Sequence, residues 1–294
     1  MKLYAPKYYK KFKCIADKCD HSCCIGWEID VDAITFEKYK RLKNHYAESI
    51  LNSISTDDTS HFALCEGERC PHLDERGLCK IIINAGEEYL CDICREHPRF
   101  YNYTDIAEVG VGMSCREAAS LILSSSNYST FEPVGEVDAE EAFCEFDSRG
   151  ERTRVYQILG NKSVPYNVRL DTIRREYGIA ERDDTEWREV IKSLEYLEDG
   201  HKELFLCYSS SHRPDGNNEY LERALAYFIY RHCTEAYDTE DFRMRLSFCM
   251  FCERLLASLI VSQKAHTLQE TAILASIISE EIEYSEDNTE SLML

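Results

Sequence analysis

The sequence predicts a mainly α-helical protein, with a cysteine-rich, metal-binding N-terminal module that has little β-structure, followed by a helical domain. Two observations predict this architecture. Ten of the 15 cysteines lie in the first 115 of the 294 residues, and the later part of the chain repeats apolar residues at the three- and four-residue spacing of amphipathic helices. An irregular stretch over residues 125–150 separates the two, so we predict domains at 1–125 and 126–294.

The first predicted elements are short. Residues 25–31 alternate loosely between apolar and polar, as a half-buried strand does. Asp32 is placed to cap a helix, and apolar residues at helical spacing run from 36 to 54. Residues 56–80 are polar and rich in turn-forming residues, which predicts a loop there.

The cysteine-rich region ends with three further elements. Residues 87–97 predict a short helix that Pro98 ends. Such a helix sets Cys91 and Cys94 on one face, because they are three residues apart. A strand over 106–113 and a helix capped by Ser114 complete the region.

The rest of the chain predicts a helical bundle or array. Its apolar residues keep the helical period, and no internal repeat or low-complexity tract appears apart from an acidic tail. The predicted helices span about 150–160, 165–177, 184–206, 217–237, 239–263 and 267–284.

The charge distribution excludes some partners. The formal net charge is −20, and residues 1–120 contribute only −4 of it, from 16 Lys/Arg and 20 Asp/Glu. A strongly acidic surface repels phosphate backbones, so we expect no nucleic-acid partner. No window approaches the roughly 18 apolar residues of a membrane helix, and no secretory signal is recognisable at the start. These observations predict a cytoplasmic protein that does not bind membranes.

Familiar catalytic and nucleotide-binding motifs are absent from the sequence. It contains no G-x-x-x-x-G-K-[ST], G-x-G-x-x-G, H-E-x-x-H or G-x-S-x-G motif. Gly110 and Gly112 form a lone G-x-G without a third glycine. Nucleotide binding of the Rossmann type is therefore not supported.

The cysteine spacing predicts a metal site. In a reducing compartment, clustered cysteines bind metal or carry out redox chemistry more often than they form disulfides. Zinc and iron–sulfur clusters both use thiolate ligands, and the spacing alone does not separate them. The candidate ligands are Cys14, Cys19, Cys23, Cys24, Cys70, Cys79, Cys91, Cys94 and Cys115.

The later cysteines predict core packing instead. Free cysteine is among the most buried residue types and packs as a small apolar side chain. Cys249 and Cys252 are three residues apart within an apolar helix. We therefore expect them, together with Cys144, Cys207 and Cys233, to be buried and without a metal.

Six segments carry a family resemblance. They are Cys14 to Asp30, Cys70 to Leu73, Gly86 to Arg99, Ser114 to Ala119, Tyr227 to Cys233 and Glu280 to Asn288. This set resembles the flagellin lysine-N-methylase family, whose front half is related to small CxxCxxCC zinc- or iron-chelating proteins. The resemblance implies methylation of lysine side chains on flagellin, with S-adenosylmethionine as methyl donor, in a protein carrying a [4Fe-4S] cluster. It also carries the nine cysteines over as candidate ligands.

The resemblance suggests roles for five further residues. Methyl transfer needs a neutral amine, and the ordinary pKa of lysine is about 10.4. Glu281, Glu283 and Tyr284 are candidate catalytic groups that bind the lysine and accept its proton, although a solvated acidic helix end is the alternative interpretation. Tyr284 stands where the family tends to have His. Arg95 and Arg99 are candidates to bind the carboxylate of the cofactor.

A second hypothesis comes from another functional class. The same cysteines suit a non-catalytic carrier or scaffold protein that binds zinc or iron. Only an enzyme should bind S-adenosylmethionine and methylate a partner protein, so those two properties separate the hypotheses.

Overall fold

The computed structural model describes residues 1–57, 59–138, 145–214 and 219–293. The chain divides into two compact units. Met1–Phe12 and Pro98–Leu294 form the first, here called the helical unit, and Lys13–His97 form the second, here called the thiol unit. These limits differ from the predicted domains, 1–125 and 126–294, because strands from both sides of residue 125 pair in one sheet.

The prediction of a mainly α fold with little β-structure is wrong. The structure is about 52% helical and 11% strand, with two small sheets among its helices. The predicted metal-binding character of the N-terminal module is not found either. In the described ranges, no group of three or more His, Cys, Asp or Glu side chains is arranged to hold a metal ion.

The described residues form seven strands and thirteen α-helices. The strands are β1 (Lys2–Pro6), β2 (Ile29–Asp30), β3 (Ile54–Ser55), β4 (His61–Phe62), β5 (Arg99–Tyr103), β6 (Ala107–Val111) and β7 (Phe131–Glu136). The helices are α1 (Ala33–Arg41), α2 (Ala47–Asn52), α3 (Lys80–Asn84), α4 (Asp92–Glu96), α5 (Arg116–Ser124), α6 (Ser148–Leu159), α7 (Tyr166–Tyr177), α8 (Asp184–Ser193), α9 (Asp199–Leu206), α10 (Glu219–His232), α11 (Thr239–Ser262), α12 (Leu268–Ile278) and α13 (Glu286–Leu292).

A four-stranded sheet underlies the helical unit. Its strand order is β5-β6-β1-β7, with β1 parallel to β6 and the other neighbours antiparallel. The sequence predicted only β6 of these strands. The edge strand β7 contains Pro133 and Gly135, residues that weaken a strand pattern but are tolerated at a sheet edge. Strand β1 pairs with β6 and β7 across about a hundred residues or more, and such pairing leaves no local signal.

The core of the helical unit is built mainly by its last long helices. Helix α11 is apolar on most sides and contains 15 buried residues, as expected of a helix enclosed by neighbours. A cluster of 46 buried apolar residues runs through this unit. Cys233, Cys249 and Cys252 are buried in it, as predicted, whereas Cys207 is exposed, so its predicted burial is wrong. Cys144 lies outside the described residues.

Two long predicted helices are each broken in the structure. The predicted helix over 36–54 consists of α1 and α2, because the backbone is extended at Leu42, directly after α1. The predicted helix over 184–206 is α8 and α9, and Leu194 is again extended. The predicted cap by Asp32 is confirmed, because its side chain accepts a hydrogen bond from the amide of Thr35. No helix of the described chain is long and apolar enough to span a membrane.

The thiol unit has far less regular structure. Three two-residue strands pair in the order β2-β4-β3, and four short helices surround them. Its core holds nine buried residues, of which Cys70 and Cys91 are two. Turns and loops therefore position most of its cysteines.

Candidate functional site

Eight of the nine predicted ligand cysteines lie in the thiol unit. They differ in exposure: Cys70 and Cys91 are buried, whereas Cys14 and Cys23 are exposed. The ninth, Cys115, belongs to the helical unit, where it immediately precedes α5 and packs partly buried against the core.

Five thiols form an inner group in which the pKa of each is shifted by at least one other member. The members are Cys24, Cys70, Cys79, Cys91 and Cys94. Burial, with smaller contributions from the neighbouring thiols Cys79 and Cys91, raises the pKa of Cys70 to about 11. A hydrogen bond with Cys91 raises the pKa of Cys94, and burial acts in the same direction. Apolar surroundings and like charges both disfavour thiolates, so Cys24, Cys70, Cys79 and Cys94 hold their protons in the absence of a cation.

Cys91 is the member whose thiolate is favoured. It precedes α4 directly, and a hydrogen bond with Cys94 lowers its pKa despite burial. The hydroxyl of the fully buried Tyr39 lies 3.4 Å from its sulfur and donates to the Tyr89 carbonyl at 2.7 Å. Tyr39 therefore fixes the place of Cys91, a contact that the sequence pattern did not reveal.

An outer group lies toward the beginning of the unit. Cys14, Cys19 and Cys23 are close enough for the first and last to raise the pKa of Cys19, although burial is the larger cause. The thiol of Cys19 donates to the carbonyl of His21 at 2.8 Å. A hydrogen bond with Cys24 lowers the pKa of Cys23 to about 7. Cys23 is thus partly ionised at neutral pH.

These thiols match thiolate-binding metals in chemistry but not in arrangement. Zinc binds four ligands in a tetrahedral arrangement, and a [4Fe-4S] cluster is held by four cysteine ligands. The thiols lie within electrostatic range of one another, yet no three of the described candidate ligands are gathered as a metal site. The buried Nε2 of His97 has no hydrogen-bond partner in the structure, so this imidazole is a further donor in the same unit.

The two predicted cofactor-binding arginines fall in different units. Arg95, in the thiol unit, pairs with Asp92 and with Glu96 in half-exposed contacts. Arg99 begins β5 of the helical unit, donates to the Tyr9 hydroxyl at 3.0 Å and lies over the Phe12 ring. Each is held by neighbours within its own unit.

Glu283 lies at the centre of a buried polar cluster. It ends a π-helical turn, Ser279–Glu283, that continues α12; such turns occur frequently at functional sites. Its side chain is 0% exposed and lies 2.6 Å from Nε2 of His232 and 3.5 Å from Nε of Arg231. Tyr227 donates to it at 3.0 Å.

The neighbours of Glu283 determine its ionisation. Burial by itself would raise the pKa of this carboxyl, but Arg231 and His232 lower it by more, so the net shift is downward. Burial lowers the pKa of His232. The cluster therefore combines an ionised carboxylate with a neutral imidazole and an arginine, in which the arginine and the carboxylate neutralise each other.

Tyr284 lies beside this cluster and is 51% exposed. The guanidinium of Arg231 is 4.9 Å from the centre of its ring and 5.0 Å from that of Phe100. Gly112 follows β6 here, and a Cβ on it would be 2.8 Å from Arg231 and 2.9 Å from the Tyr284 hydroxyl. Gly112 belongs to the lone G-x-G of the sequence and Arg231 to the segment Tyr227 to Cys233, but the sequence predicted no role for either residue.

Glu281 acts in a different place from Glu283. Its side chain is 1% exposed, lies 2.5 Å from Nδ1 of His201 and accepts from the amide of Leu197 at 2.8 Å. The hydrogen bond that Glu281 accepts from His201 raises the pKa of His201. The carboxylate thus ties the π-helical turn to the start of α9, and the structure separates it from the group around Tyr284.

Comparison with known proteins supports the family resemblance over part of the chain. The chain is 28% identical over 127 residues to "Lysine-N-methylase" proteins of Salmonella typhimurium and Salmonella choleraesuis. It is equally similar to "Flagellar biosynthetic protein FliU" of Salmonella muenchen. Each alignment covers 40% of this chain; it covers 32% of each methylase and 75% of the FliU protein. The match therefore spans about a third of the length of the curated methylases.

Two other comparisons found no relative. No protein-family model matches the chain, and no solved structure matches it. The relationship to the lysine-N-methylases therefore depends on sequence similarity alone.

Proposed function

We propose that this protein methylates lysine side chains of a partner protein in the cytoplasm, with S-adenosylmethionine as the donor. The similarity to two lysine-N-methylases over 127 residues is the observation that carries the proposal. The substrate we propose is flagellin, because a third relative is a flagellar biosynthetic protein.

The reaction requires one proton to leave before the methyl group moves. The lysine nitrogen must be neutral, so that its lone pair can form the bond to the methyl carbon while the bond from that carbon to sulfur breaks. The donor supplies the activated methyl group. The protein has to bind the amine, exclude water from it and accept its proton.

Of the three predicted catalytic residues, Tyr284 is the one that a partner protein can reach. The side chains of Glu281 and Glu283 are 1% and 0% exposed, whereas Tyr284 is half exposed. In the proposal Tyr284 contacts the lysine, and Glu283 positions it indirectly by holding Arg231 beneath its ring. Glu281 holds the π-helical turn in place.

A labelled-methyl assay tests the activity and the role of Tyr284 together. We expect the full chain to transfer methyl groups from S-adenosylmethionine to flagellin but not to a flagellin whose lysines are all replaced. We expect Tyr284→Ala to lower kcat about tenfold or more, whereas Tyr237→Ala, at an exposed tyrosine outside the cluster, leaves it unchanged. Equal labelling of the lysine-free flagellin would exclude the proposed substrate chemistry.

We also propose that the thiol unit binds a metal, either a [4Fe-4S] cluster or zinc. The mutual perturbation of its inner thiols supports this, because a cation would relieve the cost of placing several thiolates together. The test is anaerobic purification followed by iron, sulfide and zinc analysis. Iron and sulfide that are lost in Cys91→Ser/Cys94→Ser but kept in Cys207→Ser would support the cluster, and zinc with the same pattern would support a structural ion.

A non-catalytic metal carrier or scaffold is the second candidate function, favoured by the eight candidate thiols in one small unit. A metal-loaded protein that binds no S-adenosylmethionine and labels no lysine would favour this candidate over the methylase. A protein without metal that still methylates flagellin would exclude it.

A further inference from the structure

A cleft lies in the helical unit, between the four-stranded sheet and α6. Its volume is about 570 Å³, within the range of roughly 300–1,000 Å³ that is usual for small-molecule sites. Three aromatic residues line it from different elements: Tyr4 of β1, Phe131 of β7 and Tyr156 of α6. None of the residues discussed above as catalytic or as metal ligands borders it.

The aromatic walls suit a flat ligand. The rings of Phe131 and Tyr156 stack on each other, within 20° of parallel and with 6.5 Å between their centres. Tyr156 is 6% exposed, so Tyr4 and Phe131, both partly exposed, are the aromatic groups that a ligand can reach. The hydroxyl of Tyr156 is already bonded to the carbonyl of Ala226 at 3.0 Å, so its ring is fixed. Fixed aromatic faces favour stacking with a planar ring system.

The charged groups of the cleft favour an anion. Glu108 and Arg152 form a two-pronged pair, with distances of 2.7 and 2.6 Å, and both side chains are 2% exposed. This pair neutralises itself. Arg149 is about half exposed, and its contact with Asp105 is long, at 3.6 Å. An exposed pair of this kind is weak, so a ligand carboxylate can replace Asp105 as the partner of Arg149.

We infer that this cleft binds a planar heteroaromatic molecule that carries a carboxylate. Tyr4 and Phe131 receive the ring, the exposed amide of Gln157 can bond to its polar edge, and Arg149 receives the carboxylate. S-adenosylmethionine and its product S-adenosylhomocysteine belong to this chemical class. Assigning the cleft to the methyl donor therefore rests on the proposed function, whereas the class of ligand follows from the lining residues.

A second, smaller cleft provides an internal control. It measures about 420 Å³ and is lined by Arg154 and Arg169, while Gln157 borders both clefts. Arg154 lies on the same helix as Arg149, and its side chain is 70% exposed. Replacing Arg154 removes the same charge from the same helix but leaves the first cleft intact.

Calorimetric titration of the full chain tests the assignment with two probes. S-adenosylhomocysteine has both the heteroaromatic ring and the carboxylate, whereas adenosine lacks the carboxylate. We expect Arg149→Ala to weaken S-adenosylhomocysteine about tenfold or more and adenosine less than about twofold. We expect Tyr4→Ala to weaken both probes, and Arg154→Ala to weaken neither.

Three results would overturn the inference. They are an absence of saturable S-adenosylhomocysteine binding, a loss caused by Arg154→Ala instead of Arg149→Ala, and an equal effect of Arg149→Ala on both probes. Failure of the proposed function looks different. Binding with the expected pattern but without any methylated lysine would exclude the methylase activity and support the assignment of the cleft. Methylation with an unchanged KM for the donor in Arg149→Ala would support the methylase activity and exclude the cleft as the donor site.

Discussion

The two units of this protein are stabilised by different means. Among its described residues, the 209-residue helical unit buries 46 apolar residues in one cluster and four in another. The 85-residue thiol unit buries nine, and two of those are cysteines. Apolar burial scales with chain length, and small units often need an additional constraint. The thiols of the smaller unit therefore lie where apolar burial alone contributes least to the stability of the fold.

The largest expected effect is in the helical unit. Arg152→Ala leaves Glu108 buried and without its cation, a change that typically costs about 3–5 kcal/mol. Urea unfolding followed by circular dichroism measures the loss. Arg154→Ala, on the exposed side of the same helix, should change the free energy of unfolding by less than about 0.5 kcal/mol. Similar losses of unfolding free energy in both variants would show that the buried Arg152–Glu108 pair contributes no more to stability than an exposed arginine does.

The next effect separates the two units. Ile50 is fully buried in the small cluster of the thiol unit, and Ile50→Ala should cost about 2–5 kcal/mol. Because that unit has few other buried residues, we expect its amides to exchange faster with solvent deuterium. We expect amides of α10 and α11 to keep their protection. Faster exchange in those helices as well would show that the units share one core.

A smaller effect concerns the hydroxyl that contacts Cys91. Tyr39→Phe removes the hydrogen bond to the Tyr89 carbonyl and the contact with the Cys91 sulfur. The loss should be about 0.5–1.5 kcal/mol. We also expect Cys91 to react more slowly with a thiol reagent near neutral pH, because the contact with Tyr39 helps to lower its pKa. An unchanged rate would indicate that Cys94 alone favours the thiolate.

The smallest effect is the pH dependence of the His201–Glu281 pair in the helical unit. The pKa of His201 is raised when the chain is folded. Its contribution is therefore complete below the unfolded pKa of about 6.5 and disappears as the pH rises through the folded value. The stability difference between the native protein and His201→Gln, about 1 kcal/mol or less, should shrink from pH 5.5 to 8.5. A difference that grows over this range would contradict the pairing.

Local patterns predicted much of the helical unit. Helices α10, α11 and α12 lie close to their predicted positions. Their apolar residues repeat at the helical period because one side of each helix packs in the core. Strands β1, β5 and β7 were missed. Strands β1 and β7 are stabilised by pairing with segments far away in the chain, and Pro133 and Gly135 obscure the pattern of β7. Strand β5 pairs with its neighbour in sequence, β6.

The candidate sites were predictable to different extents. The spacing of the cysteines predicted that the candidate ligands belong to one module, and eight of the nine lie in the thiol unit. The spacing did not predict how the thiols are arranged there. Glu281 and Glu283 were predicted as accessible acid–base groups, but the structure buries both. The acidic sequence around them indicates a solvated helix end, and only the packing of α10 against the π-helical turn removes Glu283 from solvent.

The sequence by itself determined which segments form the main helices, where the cysteines concentrate and which family the chain resembles. These properties follow from residue types and spacings, which act over a few positions along the chain. Only the tertiary structure decided that a sheet underlies the helical unit, that Arg231 lies between Phe100 and Tyr284, and that a cleft borders α6. The reason is that sheet pairing, burial and the ionisation of a carboxylate depend on neighbours brought together from distant parts of the chain.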